Sequence, residues 1–328
     1  MTMSLPRVYV TRRIQDAGLS LLPGRVAFEV WEKSAPVDRD VLLEKASKAE
    51  GLLCTLSDRI DEELFSRCPG LKVVSNYAVG FDNIDVEAAT RRGILVTNTP
   101  DVLTNATADM AFTLMLASAR RVVEANEFLR SGDWVTWHPD LLLGQDVSES
   151  VLGIVGMGKI GQAVARRAAG FSMKILFFNR SPRPEMEREL AARQVSLDEL
   201  LRESDFVSLH CPLSAETKGL IGERELRMMK KSSILINTSR GAVVDREALY
   251  RACSEQWIWG AGIDVFEKEP VPLDEPLLKL KNVTTTPHLG SATIKAREGM
   301  ARKAAENLLA ALEGRKPADL VNPQAWKK

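Results

Sequence analysis

The run Leu152-Gly153-Ile154-Val155-Gly156-Met157-Gly158-Lys159-Ile160-Gly161 decides the fold. An apolar strand pattern enters a turn of three glycines, and a helical pattern through Ala163, Val164 and Ala168 leaves it. Each glycine of the G-x-G-x-x-G spacing has a physical reading. The first permits the tight turn, the second lets backbone amides approach a pyrophosphate, and the third lets the helix close on the strand. Unpaired amides and the dipole at a helix start favour an anion. A glycine-rich turn without a ligand is the plain alternative, but the strand, turn and helix setting favours a dinucleotide.

The end of the next strand bears on which dinucleotide. An Asp or Glu there would accept hydrogen bonds from ribose hydroxyls and repel a phosphate. This chain has Phe178-Asn179-Arg180-Ser181 instead, a planar guanidinium between two neutral donors. That set suits a 2′-phosphate, so NADP is expected, with NAD as the alternative. Lys159 adds a second positive charge near the phosphates.

Outward from the glycine loop, strand patterns recur at residues 152–155, 175–178, 206–210, 234–236, 260–263 and 283–285, with helical patterns between them. An earlier series lies at residues 8–11, 26–30, 51–55, 73–76 and 94–96. Both read as parallel sheets wound with helices, an α/β fold in two doubly wound domains. Asp61 and Asp85 are placed to cap helices in the first series, and Gly93 to end one. Residues 105–119 are apolar on almost every side and read as a buried connecting helix. Residues 132–150 carry Trp134, Trp137 and Leu141 to Leu143, more apolar surface than a solvated loop needs, which suits a partner subunit. The last helical pattern, 292–312, puts Ala296, Met300, Ala304, Leu308 and Leu312 on one stripe, with Gly314 to end it. If that helix returns to the first domain, the domain is discontinuous.

A length of 328 residues favours two domains, and 45% hydrophobic with 27% charged residues is ordinary for a soluble globular protein. The 44 basic residues balance 44 acidic ones, so no net field attracts a polyanion and no nucleic-acid partner is expected. Cys54, Cys68, Cys211 and Cys253 stand apart with no C-x-x-C pair and read as reduced thiols. Residues 1–13 lack a signal-peptide pattern, and no apolar run approaches a membrane span. A cytoplasmic protein without a membrane partner is expected, and no metal site.

The chain has three histidines. His288 stands just past the strand at 283–285, where ligands of such sheets bind. Arg240 follows the strand at 234–236, and Glu269 lies a few residues past the strand ending at 263. Three strands thus deliver a cation, an acid and an imidazole to one edge, a set suited to holding a carboxylate and protonating an alkoxide. Each alone has an ordinary explanation: a solvated Arg, a turn Glu before proline, a backbone-satisfied His. His210 precedes Cys211-Pro212 and reads as backbone shaping near the cofactor, and His138 sits in the apolar loop.

Along nearly its whole length the sequence resembles the D-isomer-specific 2-hydroxyacid dehydrogenase family, nearest its glyoxylate and hydroxypyruvate reductases. The resemblance rests on Gly51-Leu52-Leu53-Cys54 with Leu56-Ser57-Asp58, Val79-Gly80-Phe81-Asp82, Thr99-Pro100-Asp101-Val102-Leu103-Thr104, the glycine loop, and the stretches 237–241, 262–270 and 287–291. It implies a Rossmann cofactor domain over 103–288 and a flavodoxin-like substrate domain formed by 1–102 and 289–328, with the site in the cleft between them. It implies that Arg240 binds the substrate carboxylate and carbonyl, that His288 is the acid/base, and that Glu269 pairs with His288. The amides of Val79 and Gly80 would hold the carboxylate, with Leu56 and Ser57 beside it. Asp264 would meet the nicotinamide carboxamide. Thr104, Thr238, Ser239 and Gly290 match cofactor-surrounding positions, with Cys211, Pro212 and Thr217 after the strand at 206–210. Departures are Lys159, where Arg is frequent, and the missing acid at 179–181.

The expected reaction is NADPH-dependent reduction of glyoxylate or hydroxypyruvate to the D-2-hydroxy acid, in a homodimer. Alternatives are 2-ketogluconate reduction, another dehydrogenase of the family, or a dinucleotide-sensing corepressor on the same architecture. Leu56, Trp137 and Leu141 are apolar pocket candidates suited to a small substrate, with Trp137 reaching a neighbouring subunit or packing in its own chain. No G-x-S-x-G elbow in a strand and helix setting and no H-E-x-x-H occurs, which disfavours other enzyme classes.

Overall fold

The computed structural model describes residues 4–327; the outermost parts of the expected first domain, residues 1–3 and 328, lie outside the described residues. The chain divides into two compact units. One takes in the chain up to Leu103 and again from Ala292 onward, and the other is Thr104–Ser291.

The first unit holds a parallel sheet of β1 (Arg7–Val10), β2 (Ala27–Val30), β3 (Gly51–Cys54), β4 (Val73–Asn76) and β5 (Leu95–Thr97) in the order β2-β1-β3-β4-β5. That is the flavodoxin-like order, with its switch point between β1 and β3. The strands β3, β4 and β5 are buried at every residue, as strands covered on both faces must be. Asp61 and Asp85 accept the amides of Leu64 and Ala88 at 3.1 and 2.8 Å and so start their helices. The helix Ile294–Leu312 packs on this sheet through Ala296, Met300, Ala304 and Leu308. Gly18 admits it, because a Cβ there would stand 2.3 Å from the Ala301 carbonyl oxygen.

The second unit holds β6 (Val151–Val155), β7 (Lys174–Phe178), β8 (Arg193–Gln194), β9 (Phe206–Leu209), β10 (Ile234–Asn237), β11 (Gly260–Ile263) and β12 (Val283–Thr285), all parallel, in the order β12-β11-β10-β9-β6-β7-β8. Successive residues feed opposite faces. Ile154, Phe177, Phe206 and Ile236 join one apolar cluster, and Val155, Leu176, Val207 and Leu235 the other. The helix Thr104–Ala119 closes onto β11 over Gly262, where a Cβ would meet Leu114 at 2.9 Å. The helix Val122–Ser131 buries no residue and leaves Val122, Val123 and Leu129 exposed. The strand order reverses beside β6, so the carboxyl ends of β6 and β9 form the crevice where ligands of such sheets bind.

The four cysteines are buried and unpaired. No helix among the described residues is long and apolar enough to cross a membrane.

Candidate active site

The glycine loop leaves β6 at Gly156, whose φ of 98° is accessible to glycine and strained for other residues. Its backbone lies against the end of β9: a Cβ would stand 2.7 Å from the Cys211 nitrogen. At Gly161 a Cβ would meet the Gly156 carbonyl oxygen at 2.2 Å, so the helix Lys159–Ala169 can close only on glycine. Gly158 faces open space and caps that helix without a side chain, so no capping side chain occupies the helix start. These features fit a pyrophosphate.

At the end of β7, Asn179 is engaged in holding the loop. Its Oδ1 accepts the Met157 amide at 3.1 Å, and its Nδ2 donates to the Ser181 carbonyl at 2.7 Å. Arg180 and Ser181 are exposed, and Arg180 pairs with Glu216 at 3.2 Å. Past β9, His210 Nε2 lies 2.8 Å from Ser208 Oγ, and burial pushes its pKa down to about 4. Burial likewise pushes the Cys211 thiol up to about 11, so it stays protonated at neutral pH. Thr217 donates to the Pro212 carbonyl at 2.6 Å and closes the turn that Cys211 opens. Thr104 begins the helix Thr104–Ala119, and Ile160 is half-buried in the first turn after the glycine loop.

The edge at β10, β11 and β12 carries the reactive side chains. At the end of β10, buried Asn237 accepts Ser239 N and Oγ at 3.0 and 2.9 Å and donates to the Arg240 carbonyl at 2.9 Å. This turn presents Arg240, whose Nη1 donates to the Ser239 carbonyl at 2.8 Å. The hydroxyl of Thr238 is buried with no protein partner, an open hydrogen-bonding group beside the same turn. At Gly241 a Cβ would fall 2.0 Å from the Phe266 carbonyl carbon and 2.2 Å from the Glu267 nitrogen. The segment carrying Arg240 therefore packs backbone to backbone on the loop carrying Glu269.

Asp264 follows β11 and is 1% exposed. Its carboxylate accepts Thr286 Oγ1 at 2.5 Å and the amides of Leu289 and Gly290 at 2.7 Å each. The His288 amide donates to the Asp264 carbonyl at 2.8 Å. Burial pushes the Asp264 carboxyl above its ordinary value, against the pull of these donors. They hold His288 in a left-handed conformation, φ 55°, that a non-glycine residue adopts at a cost. Both Asp264 oxygens are thus committed to the turn that aims His288.

His288 Nδ1 and Glu269 Oε2 are 2.6 Å apart, and Glu269 Oε1 accepts the Phe266 amide at 2.9 Å. Burial raises the Glu269 pKa, but the bond and charge of His288, the Phe266 amide and the Arg240 charge outweigh it and hold the carboxyl below its ordinary value. The ionised carboxylate accepts, so Nδ1 donates. No described residue meets Nε2, which is left for a substrate. Sequence reasoning singled out Arg240, Glu269 and His288 but not the supports beneath them. Of these, Gly241 carried a signal in its place directly after Arg240.

Leu56, Ser57, Val79 and Gly80 belong to the first unit, after β3 and β4; Leu56 and Ser57 are exposed, and Val79 and Gly80 half-buried. Trp137 is 76% exposed and Leu141 half-buried, and His138 accepts the Asp140 amide at 3.2 Å. No group of three His, Cys, Asp or Glu side chains suited to a metal occurs among the described residues.

Residues 112–290 match the family model described as D-isomer specific 2-hydroxyacid dehydrogenase, NAD binding domain. The chain is 55% identical to a glyoxylate reductase of Thermococcus gammatolerans over 98% of its own length and 97% of that protein's. A crystal structure of a Thermus thermophilus protein superposes with a TM-score of 0.89 at 49% identity, covering 96% of this chain and 99% of that one. An NADPH-dependent glyoxylate/hydroxypyruvate reductase of Sinorhizobium meliloti, solved with NADP and malonate, superposes with a TM-score of 0.87 at 32% identity over 99% of both chains. The glycine loop, the strand-edge side chains and likeness over the full length together place this chain in the D-isomer specific 2-hydroxyacid dehydrogenase family.

Proposed function

We propose that the protein reduces glyoxylate, and with it hydroxypyruvate, to the D-2-hydroxy acid with NADPH as reductant. The observation that carries this reading is the His288 Nδ1 to Glu269 Oε2 bond of 2.6 Å, with Nε2 meeting no described residue. A bound nicotinamide supplies the hydride that the keto carbon accepts. His288 Nε2 gives its proton to the carbonyl oxygen as the negative charge develops there. Glu269 fixes the ring through Nδ1, and Asp264 fixes the backbone beneath it. Arg240 offers a planar donor fork to the carboxylate and carbonyl, which lysine would not reproduce. The amides of Val79 and Gly80 hold the carboxylate, with Leu56 and Ser57 beside it.

The cofactor is held by the domain over 103–288. Gly156, Gly158, Lys159, Ile160 and Gly161 take the pyrophosphate, and Arg180 with Ser181 takes the 2′-phosphate. Thr104, Cys211, Pro212, Thr217, Thr238, Ser239 and Gly290 surround the rest, and the unpartnered Thr238 hydroxyl supports this placement. Asp264 holds the His288 turn through three accepted donors and meets the nicotinamide carboxamide with its remaining accepting capacity. The S. meliloti reductase solved with NADP supports NADPH as the cofactor.

A homodimer formed through the exposed Trp134, Val135, Trp137 and Leu143 accounts for apolar surface that a monomer would leave in water. Loss of NADPH absorbance with glyoxylate, hydroxypyruvate and 2-ketogluconate, repeated with NADH, tests the reading. Glyoxylate turnover is expected, faster with NADPH. No oxidation of either cofactor with any keto acid would remove the proposal.

A further inference from the structure

The carboxylate hold proposed above sits on a loop whose backbone is turned by side chains. After β4, three successive carbonyls are tied into the first unit. Ala78 O accepts the Thr99 amide at 2.8 Å, Val79 O accepts Asn98 Nδ2 at 2.7 Å, and Gly80 O accepts Asn76 Nδ2 at 2.9 Å. In a planar trans peptide the carbonyl of one residue opposes the amide of the next. Tying these carbonyls inward therefore aims the amides of Val79, Gly80 and Phe81 the other way. None of these three amides has a hydrogen-bond partner among the described residues. Val79 and Gly80 are half-buried and Phe81 exposed, so the amides lie at a surface rather than in the core. Three adjacent amides without protein partners are donors available to an anion.

We infer that Asn98 and Asn76 are positioning residues for this nest: neither touches the substrate, and both set the direction of the amides that do. The inference rests on the proposed carboxylate role of Val79 and Gly80. Asparagine is the side chain required, because an aspartate in its place would set oxygen against the carbonyl oxygen. Asn76 is fully buried and held in turn, with Nδ2 donating to Asn83 Oδ1 at 3.1 Å and Oδ1 accepting Cys54 Sγ at 3.4 Å. Asn83 Nδ2 donates to the carbonyls of Thr55 and Asp58 at 3.1 Å each, which joins the nest to the turn bearing Leu56 and Ser57. Beneath that turn the buried Asp58 carboxylate accepts Thr11 Oγ1 at 2.5 Å and the Thr55 amide at 2.7 Å. One polar network thus fixes both first-unit segments of the proposed site.

Asn98→Ala and Asn98→Asp in the full chain test the inference, with oxalate as the probe of anion binding and glyoxylate as the substrate. Oxalate affinity is read from the thermal shift it produces, which needs no turnover. Losing the orientation of an amide that meets a charged group is expected to weaken oxalate binding and raise the glyoxylate KM together, by about tenfold in N98A and more in N98D. The affinity for NADPH should stay unchanged, and kcat should fall by less than about threefold. If N98A fails to fold, N98D, which keeps the side-chain shape, carries the test. Oxalate affinity and KM unchanged in the folded variants, or no oxalate binding to the wild-type protein, overturns the inference. If the wild-type protein binds oxalate, the variants weaken that binding and glyoxylate is never reduced, the nest stands and the proposed reaction fails.

Discussion

The two units present their candidate groups by opposite means. In the unit containing β1 to β5, side chains hold backbone: Asn98 and Asn76 turn the peptides of residues 78–81, and the outward groups are amides. In Thr104–Ser291, the support runs through backbone: the amides of residues 288–290 bond Asp264, and the Phe266 amide bonds Glu269, which in turn holds the imidazole of His288. In the first unit the outward donors are backbone amides, which any residue but proline supplies, and the constraint falls on asparagines behind them. In the second, the outward groups belong to side chains, and the support behind them comes from a glycine and a buried aspartate.

The sharpest break of that comparison is His288→Ala. Removing the general acid while its backbone support remains is expected to lower kcat by about 10²- to 10⁴-fold in a protein that still folds, with its melting temperature lowered near neutral pH by loss of the Glu269 pairing. Turnover at the wild-type level would return His288 to a structural role. Gly241→Ala attacks the support instead. Its Cβ has no room against the Phe266 and Glu267 backbone, so the segments carrying Arg240 and Glu269 must part. A displacement near 1 Å costs about 10²-fold, and that is the loss expected in kcat/KM, with affinity for NADPH retained. A variant with full activity would mean that this backbone contact does not set the position of Arg240.

Glu269→Gln keeps the shape and removes the charge. A hydrogen bond to a charged group contributes roughly 1.5–3 kcal/mol, so kcat should fall by about 10- to 100-fold. Stability supplies a second reading. Because the folded protein holds the Glu269 carboxyl below its ordinary value, its contribution is full above the unfolded value of about 4.3 and is lost as pH falls through the lower folded one. The wild-type protein should therefore melt above E269Q near neutral pH, and the gap should close in acid. A gap that persists or widens in acid contradicts the pairing.

The glycine loop was legible because each glycine states a backbone requirement within a few residues of its partner. Most strand spans were legible for a similar reason: short apolar runs such as residues 152–155, 206–209 and 234–236 feed the two cores with alternate side chains. The strand Arg193–Gln194 is two residues long and has no period to read. The commitments of Asp264 were hidden because its partners lie 22 to 26 residues onward. The resemblance gives it the nicotinamide carboxamide, and the structure adds that its oxygens hold the turn of His288. Asn76 and Asn98 look like ordinary strand-end residues, and their bonds to Gly80 and Val79 depend on how a loop folds back, which periodicity does not carry.

Arg180 tests the smallest effect, and one shared by neither mode of support. It stands at the end of β7 where an acid was missing, yet its side chain is 83% exposed and pairs with Glu216, itself 71% exposed. An ion pair in so much water contributes about 0.2–1 kcal/mol, and a contact to a 2′-phosphate from the same position is worth little more. Arg180→Ala should therefore raise the KM for NADPH roughly two- to fivefold and leave that for NADH unchanged. Glu216→Gln should act in the opposite direction, because it frees the guanidinium and removes a negative charge from beside the phosphate. Equal changes for both cofactors in R180A would remove the phosphate contact and shift NADPH preference onto Ser181 or Lys159. A response to R180A with none to E216Q would mean that the guanidinium already leaves Glu216 when NADPH binds.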